Sequence, residues 1–142
     1  MRKLFIYILT FVFYFSFLRA EIVTKIIISG NSRVSEETIK LYGNIKTNQD
    51  YSEQKLNSVL SDLYSTNFFE DVKLDLNNGV LKINLVEYPV INQLIIVGEP
   101  STRIKEEIKK NINLKQKDSF IKNSLTNDIK IIKKLYASIG YN

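Results

Sequence analysis

The sequence has no cysteine, no histidine and no tryptophan, and only one methionine, two prolines and five glycines. Without cysteine there are no disulfides to stabilise a fold. Without cysteine and histidine there are no thiolate nucleophiles, no imidazole bases and no Cys/His zinc sites. A carboxylate-only enzyme or metal site remains open, but nothing pairs acids in a suggestive way. A strong excess of one charge is also missing. The formal net charge is +5, but Arg2, Lys3 and Arg19 lie in the first twenty residues, which hold no acid. Beyond them 17 basic and 15 acidic residues remain, a net of +2. That is not the basic surface that nucleic-acid binding needs, so no nucleic-acid partner is expected. A full membrane span is lacking too: the longest apolar run, Leu4 to Leu18, has 15 residues, and a spanning helix needs about 20.

That short run has its own meaning. Arg2 and Lys3 precede it, only Thr10 and Ser16 interrupt it, and Ala20 supplies a small residue before Glu21. Residues 1–20 therefore read as a secretory signal peptide, with an uncleaved anchor as the alternative. Both place the rest of the chain across a membrane.

The remainder repeats itself. Lys25-Ile26-Ile27-Ile28-Ser29-Gly30 is echoed 68 positions later by Gln93-Leu94-Ile95-Ile96-Val97-Gly98, and Leu63-Tyr64 is echoed 72 positions later by Leu135-Tyr136. Such periodicity points to a tandem module. In the first copy Ile22 to Ser29 is β-branched strand chemistry ending at Gly30. Ser35 is placed to cap a helix with Glu36 and Glu37 in its first turn, and Gly43-Asn44 ends it. Ser52 caps the next helix, in which Leu56, Val59, Leu60, Leu63 and Tyr64 share one face and form core. After Thr66-Asn67, Val72, Leu74 and Leu76 alternate with Lys73, Asp75 and Asn77, the period of a half-buried strand. Asn78-Gly79 is a strong hairpin signal, Val80 to Val86 returns as a strand, and Pro89 marks the join to the next module.

The order β-α-α-β-β predicts an α+β fold in which a three-stranded mixed sheet packs on two helices. A right-handed crossover pairs the first and third strands in parallel, putting the third in the centre and Asp71 to Leu76 at an edge. The second copy has a strand at Val90 to Val97 and helices near Arg103 to Asn113 and Ser119 to Ser138. Its hairpin is missing, so the domains are expected to be 21–89, complete, and 90–142, truncated.

Several segments carry a family resemblance: Gly30-Asn31-Ser32-Arg33-Val34, Leu63-Tyr64-Ser65-Thr66-Asn67-Phe68-Phe69-Glu70-Asp71-Val72, Val86-Glu87-Tyr88-Pro89-Val90-Ile91, and Leu135-Tyr136 followed by Gly140-Tyr141. On these residues 22–142 resemble tandem polypeptide-transport-associated (POTRA) domains, of the kind at the N-terminus of outer-membrane protein assembly factors. The second copy departs at Gly98-Glu99-Pro100, where the family usually has Gly-Asn. The resemblance implies no catalytic residue and no cofactor. It implies an exported scaffold on the periplasmic face of a Gram-negative outer membrane, in front of a transmembrane β-barrel absent from this chain. It further implies unfolded outer-membrane protein segments and accessory assembly lipoproteins as partners.

An edge strand suits that role, because its unpaired N–H and C=O groups accept an extended segment as an extra strand. The candidate site is Asp71, Val72, Lys73, Leu74, Asp75 and Leu76. Each backbone bond contributes only about 1 kcal/mol net, so such capture is weak and tolerant of sequence. In this reading a proline at Lys73, or failing that at Asp75, removes an outward donor. The alternation of Lys73 with Asp75 also fits ordinary guarding of an edge against pairing.

Other readings share parts of the pattern. Two-partner secretion transporters, TamA-like factors and FtsQ-type division proteins carry the same module, although the last usually has one copy behind an uncleaved anchor. A KH-type nucleic-acid module needs a Gly-x-x-Gly loop, and Gly43-Asn44-Ile45-Lys46 lacks the second glycine. The pairs Glu36-Glu37 and Glu106-Glu107 are adjacent, and adjacent helical residues do not face one another, so they make poor catalytic dyads.

The first expected outcome concerns export. Protein recovered from a periplasmic or membrane fraction should begin at Glu21 by N-terminal sequencing, whereas a retained Met1 would favour the anchored reading.

Overall fold

The computed structural model describes residues 21–141. The signal peptide read over residues 1–20 lies outside them. The elements are β1 (Glu21–Val23), β2 (Lys25–Ser29), α1 (Glu36–Tyr42), β3 (Gln49–Tyr51), α2 (Glu53–Ser65), β4 (Phe69–Asn77), β5 (Val80–Glu87), α3 (Thr102–Asn111) and α4 (Lys122–Ser138).

The caps form where the sequence places them. The Ser35 hydroxyl accepts from the Thr38 N–H at the start of α1, and Ser52 accepts from Lys55 at the start of α2. The three-stranded sheet has the order β2-β5-β4, with β5 parallel to β2 and antiparallel to β4. The α+β fold and the central position of the third long strand are therefore as expected. Leu81, Ile83 and Leu85 of β5 point to one face and are buried, together with Ile39 of α1, Val59 and Leu63 of α2, and Phe69 and Val72 of β4. Burial of side chains this size stabilises by about 1.5–3 kcal/mol each.

Close approach at one turn makes glycine obligatory. Gly30 has φ +83°, and a Cβ there would stand 1.9 Å from the Leu85 carbonyl oxygen. Both the dihedral and the space exclude a side chain.

Two features differ from the sequence reading. The strand expected from Ile22 to Ser29 is broken at Thr24. The Gly79 carbonyl accepts from the N–H groups of Thr24 (2.8 Å) and Lys25 (3.1 Å), and the chain changes partner there. Before the break β1 pairs antiparallel with β3, and after it β2 pairs with β5. β3 itself left no sequence signal: it is three residues long and two are the polar Gln49 and Asp50. It exists because Asn48, at φ 58°, turns the chain back and donates its N–H to the Val23 carbonyl at 2.7 Å.

The second difference lies in the other copy. Residues 91–97, expected as strand, have no regular secondary structure; only Val90 forms a bridge, to Ser119. β2 owes its strand form to pairing with β5, and among the described residues nothing equivalent lies beside 91–97. A β-rich sequence without a ladder partner does not satisfy its backbone as strand. α4 also starts later than Ser119, because Ser119 sits in that bridge and the Phe120 N–H donates to the Pro89 carbonyl at 2.7 Å. The pair Glu106-Glu107 falls in the middle of α3. The bridge nevertheless repeats the β1–β3 arrangement. Lys117, at φ 75°, donates to the Ile91 carbonyl as Asn48 does to Val23. The internal repeat is thus present in a contact as well as in the sequence.

Large apolar side chains stay exposed in the second copy, including Ile95, Val97 (84%), Leu125 and Ile129. Expressed separately, residues 21–89 should unfold cooperatively in urea, and residues 90–142 should not. A cooperative transition in the second piece would show that its helices need no further strands.

Candidate functional site

β4 lies at the edge of its sheet, and its register decides which backbone groups are free. Asn78 and Gly79 have φ 51° and 75°, the two positive values of a type I′ turn. In a two-residue hairpin the flanking residues exchange both hydrogen bonds, and hydrogen-bonded and non-hydrogen-bonded pairs then alternate. The paired residues are Asn77↔Val80, Leu76↔Leu81, Asp75↔Lys82, Leu74↔Ile83, Lys73↔Asn84, Val72↔Leu85 and Asp71↔Val86. Asn77, Asp75, Lys73 and Asp71 therefore bond inward to β5, while Leu76, Leu74 and Val72 turn their N–H and C=O groups to the open edge. The Val72 N–H confirms the parity, because its partner is the Tyr64 hydroxyl at 3.0 Å and not β5.

The six residues singled out from the sequence thus occupy one strand but play two parts. Val72 is buried, and Leu74 and Leu76 pack against the core, leaving only their backbone for the edge. Lys73 and Asp75 are exposed on the face away from the helices, and Lys73 Nζ pairs with Asp71 Oδ2 at 3.1 Å. Proline at Lys73 or Asp75 would break the ladder to β5 instead of removing an outward donor. Sequence alternation shows which side chains face the core, but not which backbone groups face a partner strand. Below Asp71 the register shifts between Phe69 and Asp71, a bulge that ends the regular edge.

A buried carboxylate holds the turn after β2. The Glu87 side chain is 6% exposed. It accepts from the backbone N–H groups of Ser32 (2.9 Å), Arg33 (3.0 Å) and Val34 (3.0 Å), and pairs with Arg33 Nε at 3.2 Å. Burial pushes this carboxyl up. The three N–H groups and the Arg33 charge outweigh burial and hold it below its ordinary value of 4.5. In the second copy another buried carboxylate, Asp128, holds a different segment, the loop after α3. It is 3% exposed and accepts from the N–H groups of Asn113 (2.7 Å) and Leu114 (2.9 Å). Burial pushes its pKa up, and those donors, with the Asn113 side chain and Lys115, outweigh burial and hold it below the ordinary carboxylate value.

Neither residue was identified as important from the sequence, although a signal exists for both. Glu87 continues the inward set Leu81, Ile83, Leu85, and Asp128 falls on the stripe with Ile132 and Leu135. A charge on an apolar stripe is a charge that must find donors. Tyr64, assigned to the core face, has its hydroxyl on the strand edge. The adjacent glutamates do not converge: Glu36 pairs with Lys40 at 3.3 Å and Glu106 with Lys109 at 3.0 Å. Among the described residues no group of His, Cys, Asp or Glu could hold a metal ion, and no helix is long and apolar enough to cross a membrane.

A β-α-α-β-β unit with an open edge strand, a glycine turn tied down by a buried carboxylate, and a second copy behind it define a modular scaffold. The chain belongs to the POTRA family: the profile described as surface antigen variable number repeat matches residues 21–88 and again 89–142. Among curated proteins it is similar to the outer membrane protein assembly factor BamA of Neorickettsia risticii, 37% identical over 83 residues, covering 58% of this chain and 11% of that protein. The BamA of Neisseria meningitidis serogroup B is 28% identical over 116 residues, covering 80% and 14%. The chain therefore spans only a small part of the length of these relatives. Among solved structures, the N-terminal domain of Omp85 from Thermosynechococcus elongatus superposes with a TM-score of 0.56 at 15% identity, covering 82% of this chain and 51% of that one. That likeness is one of fold.

Glu87→Gln should lower the unfolding free energy by about 2 kcal/mol, the ordinary worth of hydrogen bonds to a charged group. The pH dependence follows from the lowered pKa. The contribution of Glu87 is complete above the unfolded value near 4.5 and is lost as pH falls through the lower folded value. Urea titrations from pH 7 into acid should show a smaller acid loss in Glu87→Gln than in the parent.

Proposed function

We propose that this chain is the periplasmic POTRA portion of an outer-membrane β-barrel protein assembly factor, exported and held at the periplasmic face of the outer membrane of a Gram-negative bacterium. It binds unfolded outer-membrane protein segments by strand addition along Asp71 to Leu76, and it docks accessory assembly lipoproteins. The observation that carries this reading is the open edge of β4 in a chain whose curated relatives are outer membrane protein assembly factors. The domains are a complete module over 21–89 and a second over 90–142 that needs further strands to cover its exposed apolar side chains. No residue is assigned a catalytic role and no cofactor is required.

The backbone does the binding in this mechanism. Leu74 and Leu76 offer N–H and C=O groups at the edge while their side chains stay with the core. Client side chains alternate between the sheet faces and are read only loosely, which suits many clients. The charged groups beside the edge keep the unoccupied strand from pairing permanently with another copy.

The test uses a probe altered in its own backbone, leaving the fold intact. A short peptide alternating threonine and valine should shift the Leu74 and Leu76 amides in an NMR titration of residues 21–142. N-methylation of the alternate peptide residues that face β4 should abolish those shifts, and moving the methyl groups by one residue should restore them. Equal binding of both methylated peptides would rule out strand addition at this edge.

A further inference from the structure

The free edge of β4 is shorter than the strand. Val72 is the first residue above the bulge whose N–H points outward, and that N–H is already taken. The Tyr64 hydroxyl accepts it at 3.0 Å and donates to Asp71 Oδ1 at 3.3 Å. Asp71 is in turn fixed by Lys73. The phenol oxygen stands where a carbonyl of an added strand would have to stand to reach Val72. Burial does not hold the ring there, because Tyr64 is 43% exposed and lies in the last turn of α2. The hydroxyl contacts hold it.

We infer that Tyr64 is an edge cap that sets the register of an incoming strand. With the strand-addition reading as its basis, the inference makes the recognised stretch the segment from the Val72 carbonyl to Leu76. An extended segment of a client enters beside Leu74 and Leu76 and stops at Tyr64, because passing it requires its carbonyl to displace the hydroxyl. The bulge between Phe69 and Asp71 closes the strand below the cap, and the Asn78-Gly79 turn closes it above. A contact limited to this stretch is weak by construction, since few backbone bonds fit in it. That favours release of the client and limits pairing between copies of the chain.

Tyr64→Phe removes the hydroxyl and keeps the ring, and Tyr64→Leu removes the hydroxyl while keeping apolar bulk. Circular dichroism checks that each is folded. In the free protein, hydrogen exchange at the Val72 amide should accelerate in both variants while the Leu81 and Ile83 amides keep their protection. With the threonine–valine peptide, binding should tighten roughly fivefold, the worth of one added backbone bond, and the shifted amides should extend from Leu74 and Leu76 to Val72. Unchanged exchange at Val72, or an unchanged footprint with equal or weaker binding, would overturn the inference. The two readings fail separately. If the peptide shifts no β4 amide in the parent protein, strand addition is wrong, and Val72 exchange still decides whether Tyr64 caps the edge.

Discussion

The two-residue turn at Asn78-Gly79 determines which backbone groups of β4 face β5 and which face outward. Its two positive φ values make Asn77 and Val80 a hydrogen-bonded pair, and every pair below inherits its character from that one. A slip of one residue would send Val72, Leu74 and Leu76 away from the helices and turn the opposite set of N–H groups to the edge. The same turn anchors the rest of the sheet. The Gly79 carbonyl accepts from Thr24 and Lys25, and its N–H donates to the Glu21 carboxylate. β1, the parallel pairing of β2 with β5, and the edge all refer to this one point.

Buried polar groups fix the loops that surround this frame. Glu87 gathers three consecutive N–H groups after Gly30, Tyr51 both accepts from and donates to the backbone of Lys46, and Asp128 holds Asn113 and Leu114. Each satisfies loop backbone groups that no ladder or helix bond reaches. The two copies use different side chains for the loop between their helices, Tyr51 in one and Asp128 in the other. The repeat therefore preserves the backbone path more faithfully than the chemistry that stabilises it. The left-handed residues Asn48 and Lys117 illustrate the same point, with unlike side chains at like turns.

The comparison of Lys25–Ser29 with residues 91–97 separates propensity from structure. The two segments are nearly equal in β-branched content, and each ends at a glycine of positive φ. One is strand and the other is not, because β5 lies beside the first. Gly30 shows the same dependence. Its missing Cβ is demanded by the Leu85 carbonyl, while Gly98 has nothing within 4 Å of where its Cβ would be.

The one-dimensional pattern was enough for the caps of α1 and α2, the apolar stripe of α2 short of Tyr64, the hairpin, the tandem repeat and the family. These depend on neighbours close along the chain or on motifs that survive as letters. It was enough too for the central place of β5, since chain direction and handedness leave few alternatives. Tertiary structure alone decided the break at Thr24, the existence of β3, which backbone N–H groups Glu87 and Asp128 collect, and the occupation of the Val72 N–H by Tyr64. Each of these is a hydrogen bond between residues whose meeting is set by packing, and backbone donors carry no letter in the sequence. Side-chain alternation identified the strand at the edge; only the register showed which of its amides are open.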